Sequence, residues 1–222
     1  MSKIYFTADY HFGHPTIKDF CNRPFSTIER MNEVLIKFAN QRAKAYYRTD
    51  KVVEEDGTVK EISTVIDRDT IIHVGDFANF GTVRGKEGLR KNPREYEYAF
   101  DAKVILFEGN HDGNNGVKNA CRSMVMNIGR FSNVTVGHYP TTAREAYGTF
   151  FSKKGRKLGI HICGHVHKAW KYMYDKENNI LNVNVGCDVW NYRPVALNEL
   201  EGYINSVINE LGLEYNSKKH GK

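Results

Sequence analysis

An α/β fold, α+β in some classifications, is what the chain predicts, on three observations. Three short apolar runs each end abruptly in a polar, glycine-containing cluster, helical segments lie between them, and the second half changes to closely spaced strands. Polar clusters at the carboxyl ends of successive strands are where open α/β sheets place ligand sites.

The elements follow in order. Residues 3–8 are apolar and β-prone, and they stop at Asp9-Tyr10-His11-Phe12-Gly13-His14-Pro15, where glycine and proline make a loop. Ser26-Thr27-Ile28-Glu29 has the form of a capping box, and Met31, Val34, Leu35 and Phe38 follow at helical spacing, predicting a helix over about 28–46. Within 47–67, two β-prone runs flank Asp56-Gly57, the pattern of a β-hairpin inserted upon the core. Thr70-Ile71-Ile72-His73-Val74 is a second buried strand, ending at Gly75-Asp76. A helix near 92–101 precedes a third, Lys103-Val104-Ile105-Leu106-Phe107, which ends at Gly109-Asn110-His111-Asp112. Beyond it, runs at 124–128 and 134–137 suggest a hairpin leading to His138. Leu158, Ile160 and Ile162 alternate into Gly164-His165-Val166-His167, and strands at 170–174 and 181–185 flank a turn. Leu200, Ile204, Val207 and Leu211 mark a C-terminal helix. Residues 1–216 are expected to form one domain, with 217–222 a flexible basic tail.

Composition narrows the class. The 222 residues are 41% hydrophobic, enough for a real core, and contain no apolar run of the roughly 18 residues a spanning helix needs. The N-terminus turns polar too soon for a signal peptide, so the expectation is a cytoplasmic protein with no membrane partner. The four cysteines are scattered without a C-x-x-C pair, which fits small buried thiols in a reducing compartment. Of the net charge of +6, three positives are Lys218, Lys219 and Lys222, leaving +3 on the body. That modest charge suits an anionic small molecule and weighs against a long nucleic-acid track. Nothing in the sequence specifies an oligomeric state.

Five of nine histidines, His11, His111, His138, His165 and His167, fall at expected strand ends, together with Asp9, Asp76 and Asn110. Imidazole and carboxylate ligate borderline and hard divalent ions, and no thiolate is in the set. Few carboxylates among several imidazoles favour manganese, iron, zinc or nickel over calcium. Glycines 75, 109 and 164 allow close backbone approach at these turns. Gly81-Thr82-Val83-Arg84-Gly85-Lys86-Glu87 is too short for a phosphate-binding P-loop and has no Ser/Thr after its lysine, so it reads as a loop.

The ordered set Asp9-x-His11, Gly75-Asp76, Gly109-Asn110-His111-Asp112, His138 and Gly164-His165-x-His167 resembles the calcineurin-like metallophosphoesterase superfamily. The textures at 9–14 and 188–194 are similar to its small bacterial and phage phosphoesterases. The resemblance implies a four-layer sandwich, two mixed β-sheets face to face with helices outside. It implies two divalent metal ions, manganese foremost: Asp9, His11 and His167 on the first, Asn110, His138 and His165 on the second, and Asp76 bridging. Paired ions neutralise phosphoryl oxygens and lower the pKa of water to about 7. His111 would be no ligand but would give a proton to the leaving oxygen or hydrogen-bond the phosphoryl group. Asp112 would orient a histidine or serve as a helix N-terminal acid. His14 and Arg23 would fold over the metals, Arg23 touching a phosphate oxygen or fixed in a surface turn, and Asn191 and Arg193 would follow a strand that ends near the site.

Two departures from the protein Ser/Thr phosphatases of the superfamily stand out. Asn79-Phe80-Gly81 replaces their second aspartate and following Arg-Gly, and Glu108 stands where they carry arginine. Both weigh against a phosphoprotein substrate and leave open which group orients His111. Asp9 is also intact, unlike the cysteine of debranching-type enzymes. The expected activity is hydrolysis of a phosphodiester in a nucleotide or other small phosphorylated substrate. A phosphomonoesterase and then a nuclease are the alternatives, and a non-catalytic scaffold of the same fold is the alternative from a different class.

Overall fold

The computed structural model describes residues 2–141 and 157–215, so the basic tail expected at 217–222 lies outside them. In chain order the elements are β1 (Ile4–Thr7), α1 (Ile17–Phe20), α2 (Ile28–Arg42), β2 (Ala45–Val53), β3 (Val59–Arg68), β4 (Thr70–His73), β5 (Thr82–Val83), β6 (Lys86–Glu87), α3 (Pro93–Glu97) and β7 (Lys103–Leu106). After these come β8 (Ser123–Ile128), β9 (Phe131–Gly137), β10 (Gly159–Cys163), β11 (Tyr172–Asp175), β12 (Ile180–Asn184), β13 (Val195–Ala196) and α4 (Leu197–Glu210).

Two mixed sheets form an α+β sandwich. The first has the order β13-β1-β4-β7, with β1, β4 and β7 parallel and β13 antiparallel. The second has the order β11-β12-β10-β9-β8, with β9, β10 and β12 parallel and the two edge strands antiparallel. Side chains alternate across a strand, and that period sorts the two cores. Phe6, Ile72, Val136, Ile162 and Val183 meet in the core between the sheets, whereas Tyr5, Ile71 and Leu106 face the other way, onto Met31, Leu35 and Ala39 of α2 and Tyr96 of α3. Leu200, Ile204 and Val207 of α4 join the inter-sheet core. The opposite face of the second sheet is polar, with Thr135, His161 and Asn182 buried there.

Three local differences from the sequence reading have visible causes. Helix α2 is capped by Thr27, whose hydroxyl accepts from Arg30 N at 3.1 Å, so the cap lies one residue later than the Ser26 box. The helix ends at Arg42 rather than near 46, because Ala43 turns extended and Asp69 draws in Lys44 N (2.9 Å) and the Tyr46 hydroxyl (2.9 Å). Helix α3 stops at Glu97, short of the expected 101, and its Asn92–Glu95 capping box was not anticipated. The β2–β3 ribbon pairs from Ala45 to Arg68 and is solvent-exposed along nearly its whole length.

Because β1, β4 and β7 are parallel to one another, as are β9, β10 and β12, their carboxyl ends converge on one rim of the sandwich. An Ala8–Gly186 bridge and the Cys187 N–Ala8 O hydrogen bond (3.0 Å) join the two sheets there. That rim carries the polar clusters.

Candidate metal centre

Each strand end contributes a residue or two. Asp9 and His11 follow β1, Asp76 follows β4, and Asn110 and His111 follow β7; His138 follows β9, and His165 and His167 follow β10. Ligating atoms of Asp9, His11 and His167 lie within 4.8 Å of one another, as do those of Asp76, His138 and His165. Asp76 Oδ2 stands 3.4 Å from His11 Nε2 and 3.3 Å from His138 Nε2, between the two groups. Asn110 Oδ1 lies 3.1 Å from His138 Nε2 and 2.9 Å from His165 Nδ1. The seven residues expected to hold metal are thus gathered into two adjoining clusters.

The local backbone is unusual. Asp9, His11, Asp76, His165 and His167 all have φ between 48° and 69°, the left-handed region that non-glycine residues seldom occupy. Neighbouring chain holds them there: Asp9 N donates to Gly75 O (3.1 Å), His11 N to Asp76 O (3.0 Å), and Gly164 N to His138 O (3.0 Å). Gly109 is required by close approach, since a Cβ on it would lie 2.3 Å from both Asp76 N and Asp76 Oδ1. At Gly164 a Cβ would lie 2.6 Å from Ala8 Cβ and 2.8 Å from Asp9 Oδ2.

Supporting contacts fix the rings. Val74 O accepts a hydrogen bond from His138 Nδ1 at 2.9 Å and leaves Nε2 facing Asp76. Asp188 Oδ2 does the same for His167 Nδ1 at 3.1 Å. Asn184, fully buried, donates to His167 O (2.7 Å) and accepts from Gly186 N (2.7 Å). Asp112 touches no histidine: its carboxylate accepts from Asp76 N (2.9 Å), Phe77 N (2.8 Å) and Gly109 N (2.8 Å), pinning the two turns together. The expected orientation of a histidine is thereby replaced by orientation of the Asp76 backbone.

Charge follows the same design. Burial tends to neutralise Asp76, but the His138 hydrogen bond, the His11 and His138 rings and the His111 N–H overcome it and hold the carboxyl well below the usual range. Burial pushes Asp9 up to about 6. Burial also opposes charge on His138 and His167, yet Asp76 and Asp9 raise the former to about 9, and Asp188, Cys21 and Asp9 raise the latter to about 10. Burial drives His11 well below its ordinary value. Both its ring nitrogens are buried without a hydrogen-bond partner, at a cost of about 1–3 kcal/mol each, and a cation would satisfy one of them. An orphaned imidazole facing a shared carboxylate, with oxygen and nitrogen donors on either side, fits a pair of divalent ions.

The remaining candidates divide. His111 N donates to Asp76 Oδ1 (2.8 Å), and its partly exposed ring stands 4.9 Å from that of His11 and 5.7 Å from that of His14, centroid to centroid. His14 therefore faces the cluster. Arg23 does not reach the cleft; it is buried and donates to both oxygens of Asp188 (2.8 and 2.9 Å), Asp9 O (2.6 Å) and Tyr10 O (3.0 Å). With its guanidinium so engaged, it faces the loop after β1 and Asp188, neither the cleft, as a phosphate contact requires, nor the surface, as a surface turn requires. Arg193 is exposed and lies over the Phe38 ring, 4.6 Å from its centroid, while Asn191 is an exposed left-handed turn residue. The chain turns back at Cys187–Val189, so these two are carried away and Asp188 is delivered instead. The signal for Asp188 is an acid two residues past Gly186 at a strand end, a looser spacing than that of Gly75-Asp76.

Two of the comparisons carry sequence information. Residues 51–196 match the model of the calcineurin-like phosphoesterase superfamily domain, a span that includes Asp76, Asn110, His138, His165 and His167 and leaves Asp9 and His11 to be brought in by the fold. An uncharacterized protein of Methanocaldococcus jannaschii, MJ1445, is 27% identical over 220 residues, covering 95% of this chain and 99% of its own. Among solved structures, the protein of unknown function AQ665 from Aquifex aeolicus superposes with a TM-score of 0.55 at 19% identity, over 91% of this chain and 100% of that one, a likeness of fold.

Proposed function

The chain belongs to the calcineurin-like phosphoesterase superfamily, and on that premise we propose that it is a dinuclear-metal phosphodiesterase acting on a nucleotide or similarly small phosphate ester. The observation that carries this reading is Asp76, set between two His/Asp clusters with an orphaned imidazole on one side. Asp9, His11 and His167 would hold one ion and Asn110, His138 and His165 the other, with Asp76 shared; manganese is the first choice for a thiolate-free donor set. Bound there, two divalent ions neutralise phosphoryl oxygens and supply a nucleophile from water at neutral pH.

The chain's own residues do the rest. His111, partly exposed beside His11 and tied to Asp76 through its backbone N–H, is placed to protonate the leaving oxygen. Asp188, Arg23 and Asp112 hold the ligands in place rather than touching substrate. Phe20, 69% exposed, borders the same cleft as Asp76 and His111, with its ring 6.1 Å from that of His167. Such an aromatic platform supports a substrate with a base to stack, an interaction of about 1–3 kcal/mol. The four cysteines are free, which supports a reducing, cytoplasmic setting.

The test is an activity panel on manganese-loaded protein with metal content measured alongside. Bis-p-nitrophenyl phosphate should be cleaved faster than p-nitrophenyl phosphate, and both faster than a labelled oligonucleotide is cut. A preference for the monoester would replace the diesterase reading with the monoesterase. Failure to take up two ions per chain would remove the dinuclear reading altogether.

A further inference from the structure

A second wall of the cleft belongs to no part of the metal centre. A cavity of about 390 Å³ is bounded on one side by His11, His14, His111 and His167 and on the other by Arg84 and Lys86 of the β5–β6 ribbon. The ribbon is fixed relative to the histidines. Gly88 N donates to Gly81 O (3.0 Å) and closes its base, while Leu89 N donates to Gly13 O (3.0 Å) and Asn79 N to Phe12 O (2.8 Å). A Cβ on Gly88 would lie 2.5 Å from Gly13 O, so the ribbon and the His11–His14 loop pack backbone to backbone.

The turn chemistry is also telling. Arg84 and Gly85 are the two central residues of the ribbon's turn, with φ of 48° and 75°. Positive φ at both positions suits Asn-Gly or Asp-Gly, and an arginine there is conformationally unfavourable. Of the acids here, Glu87 pairs with Arg90 at 3.0 Å, and Asp19, which also lines the cavity, pairs with Lys18 at 2.6 Å. Among the described residues the side chains of Arg84 and Lys86 form no hydrogen bond or ion pair, although Lys86 lies close enough to Asp19 to act on it electrostatically. Two exposed cations on a rigid ribbon thus share one cavity with the histidines around the reaction centre.

We propose that the β5–β6 ribbon is an anion subsite, in which Arg84 and Lys86 take a second phosphate carried by the substrate while the first lies at the metal centre. The proposal rests on the phosphoesterase reading and narrows its substrate class to small esters bearing a further phosphate group. Arginine is suited to such a contact because its planar fork matches two phosphate oxygens at once.

The experiment compares thymidine 5′-(p-nitrophenyl phosphate) with its 3′-phosphorylated counterpart on the manganese-loaded full chain. The 3′-phosphate should raise kcat/KM about tenfold or more, the worth of a hydrogen bond to a charged group. Arg84→Asn combined with Lys86→Gln, the first a residue the turn prefers, should bring that ratio close to one. A wild-type ratio of one or less, or a ratio the double variant leaves unchanged, would overturn the subsite. Should wild type cleave neither ester, the phosphoesterase reading fails and the subsite is judged by calorimetric binding instead. Thymidine 3′,5′-bisphosphate binding tighter than thymidine 5′-monophosphate, with the difference lost in the double variant, would uphold it; equal binding would end it.

Discussion

Replacing Asp188 by asparagine tests the support beneath the metal centre. The Asp188 carboxylate, buried with Arg23, accepts two guanidinium hydrogen bonds at 2.8 and 2.9 Å and holds His167 Nδ1 at 3.1 Å. Asparagine keeps the shape but removes the negative charge and puts an NH2 donor in place of Oδ2, the oxygen that Arg23 and His167 share, so the Arg23 charge is left in the interior with neutral acceptors only. Breaking one half of a buried pair costs about 3–5 kcal/mol. At roughly 2–4 °C per kcal/mol for a chain of this size, metal-free protein should melt about 6–20 °C lower in scanning calorimetry. His167 also loses the acceptor that orients it, so manganese affinity at the Asp9–His11–His167 group should weaken roughly 10–100-fold. The double variant Arg23→Met/Asp188→Asn separates the two effects, recovering much of the lost stability, since no unpaired charge remains, but not the affinity. An Asp188→Asn protein that melts within 2 °C of wild type, or binds manganese as tightly, refutes this account of the Arg23–Asp188–His167 chain.

Three further outcomes are expected. Gly109→Ala places a methyl 2.3 Å from Asp76 N and Oδ1, so the bridging carboxylate must shift and manganese titration should show weakened uptake at both groups without loss of the folded circular dichroism spectrum. His111→Gln should retain both metals by elemental analysis while turnover falls roughly 10²–10⁴-fold, most for poor leaving groups; loss of a metal would move His111 among the ligands. His161 is buried between Thr135 and Tyr139 O, and burial lowers it from 6.5 to about 4, so the unfolded chain binds its proton more readily than the folded one. Its contribution is present above pH 6.5 and is lost as pH falls towards 4, up to about 3 kcal/mol. Denaturant melts of His161→Gln in chelator should therefore lose part of wild type's decline across that window, and an unchanged slope would exclude His161 as a source.

How much of this was legible in the sequence depended on the kind of signal. Strand alternation gave away both sheets, because Ile160 and Ile162 must face one side and His161 the other once residues 159–163 are extended. The polar clusters at strand ends were visible for the same reason, and the fold gathers Asp9, Asp76, Asn110 and the histidines at positions 11, 138, 165 and 167 from five separate segments. What the sequence concealed was the supporting layer. Arg23 has the residue type of a phosphate clamp, and only burial against a carboxylate 165 positions away shows it to be structural. Asp112 sits beside His111 in sequence yet serves the backbone at positions 76, 77 and 109. The Arg84-Gly85 turn reads as a loop until the Gly13–Leu89 hydrogen bond places it against the histidines. Each of these is a long-range relation that no local spacing encodes.

The left-handed backbone of the site explains why that supporting layer is so extensive. A non-glycine residue in this conformation costs about 1–2 kcal/mol, so Asp9, His11, Asp76, His165 and His167 together carry roughly 5–10 kcal/mol of strain. That is comparable to the entire net stability of a typical domain, about 5–15 kcal/mol. Local sequence preference therefore cannot hold the turns; the fold must. Asp112 gathers three N–H groups across two of the turns, Asn184 fixes the His167 carbonyl, and Arg23 ties the Asp9 and Tyr10 carbonyls to Asp188. These groups are buried at the junction of two sheets, where leaving any one unpaired costs more than forming the strained turn it holds. Strain at the strand-end turns and saturation of the groups behind them are two sides of one arrangement, which keeps the clustered side chains in register.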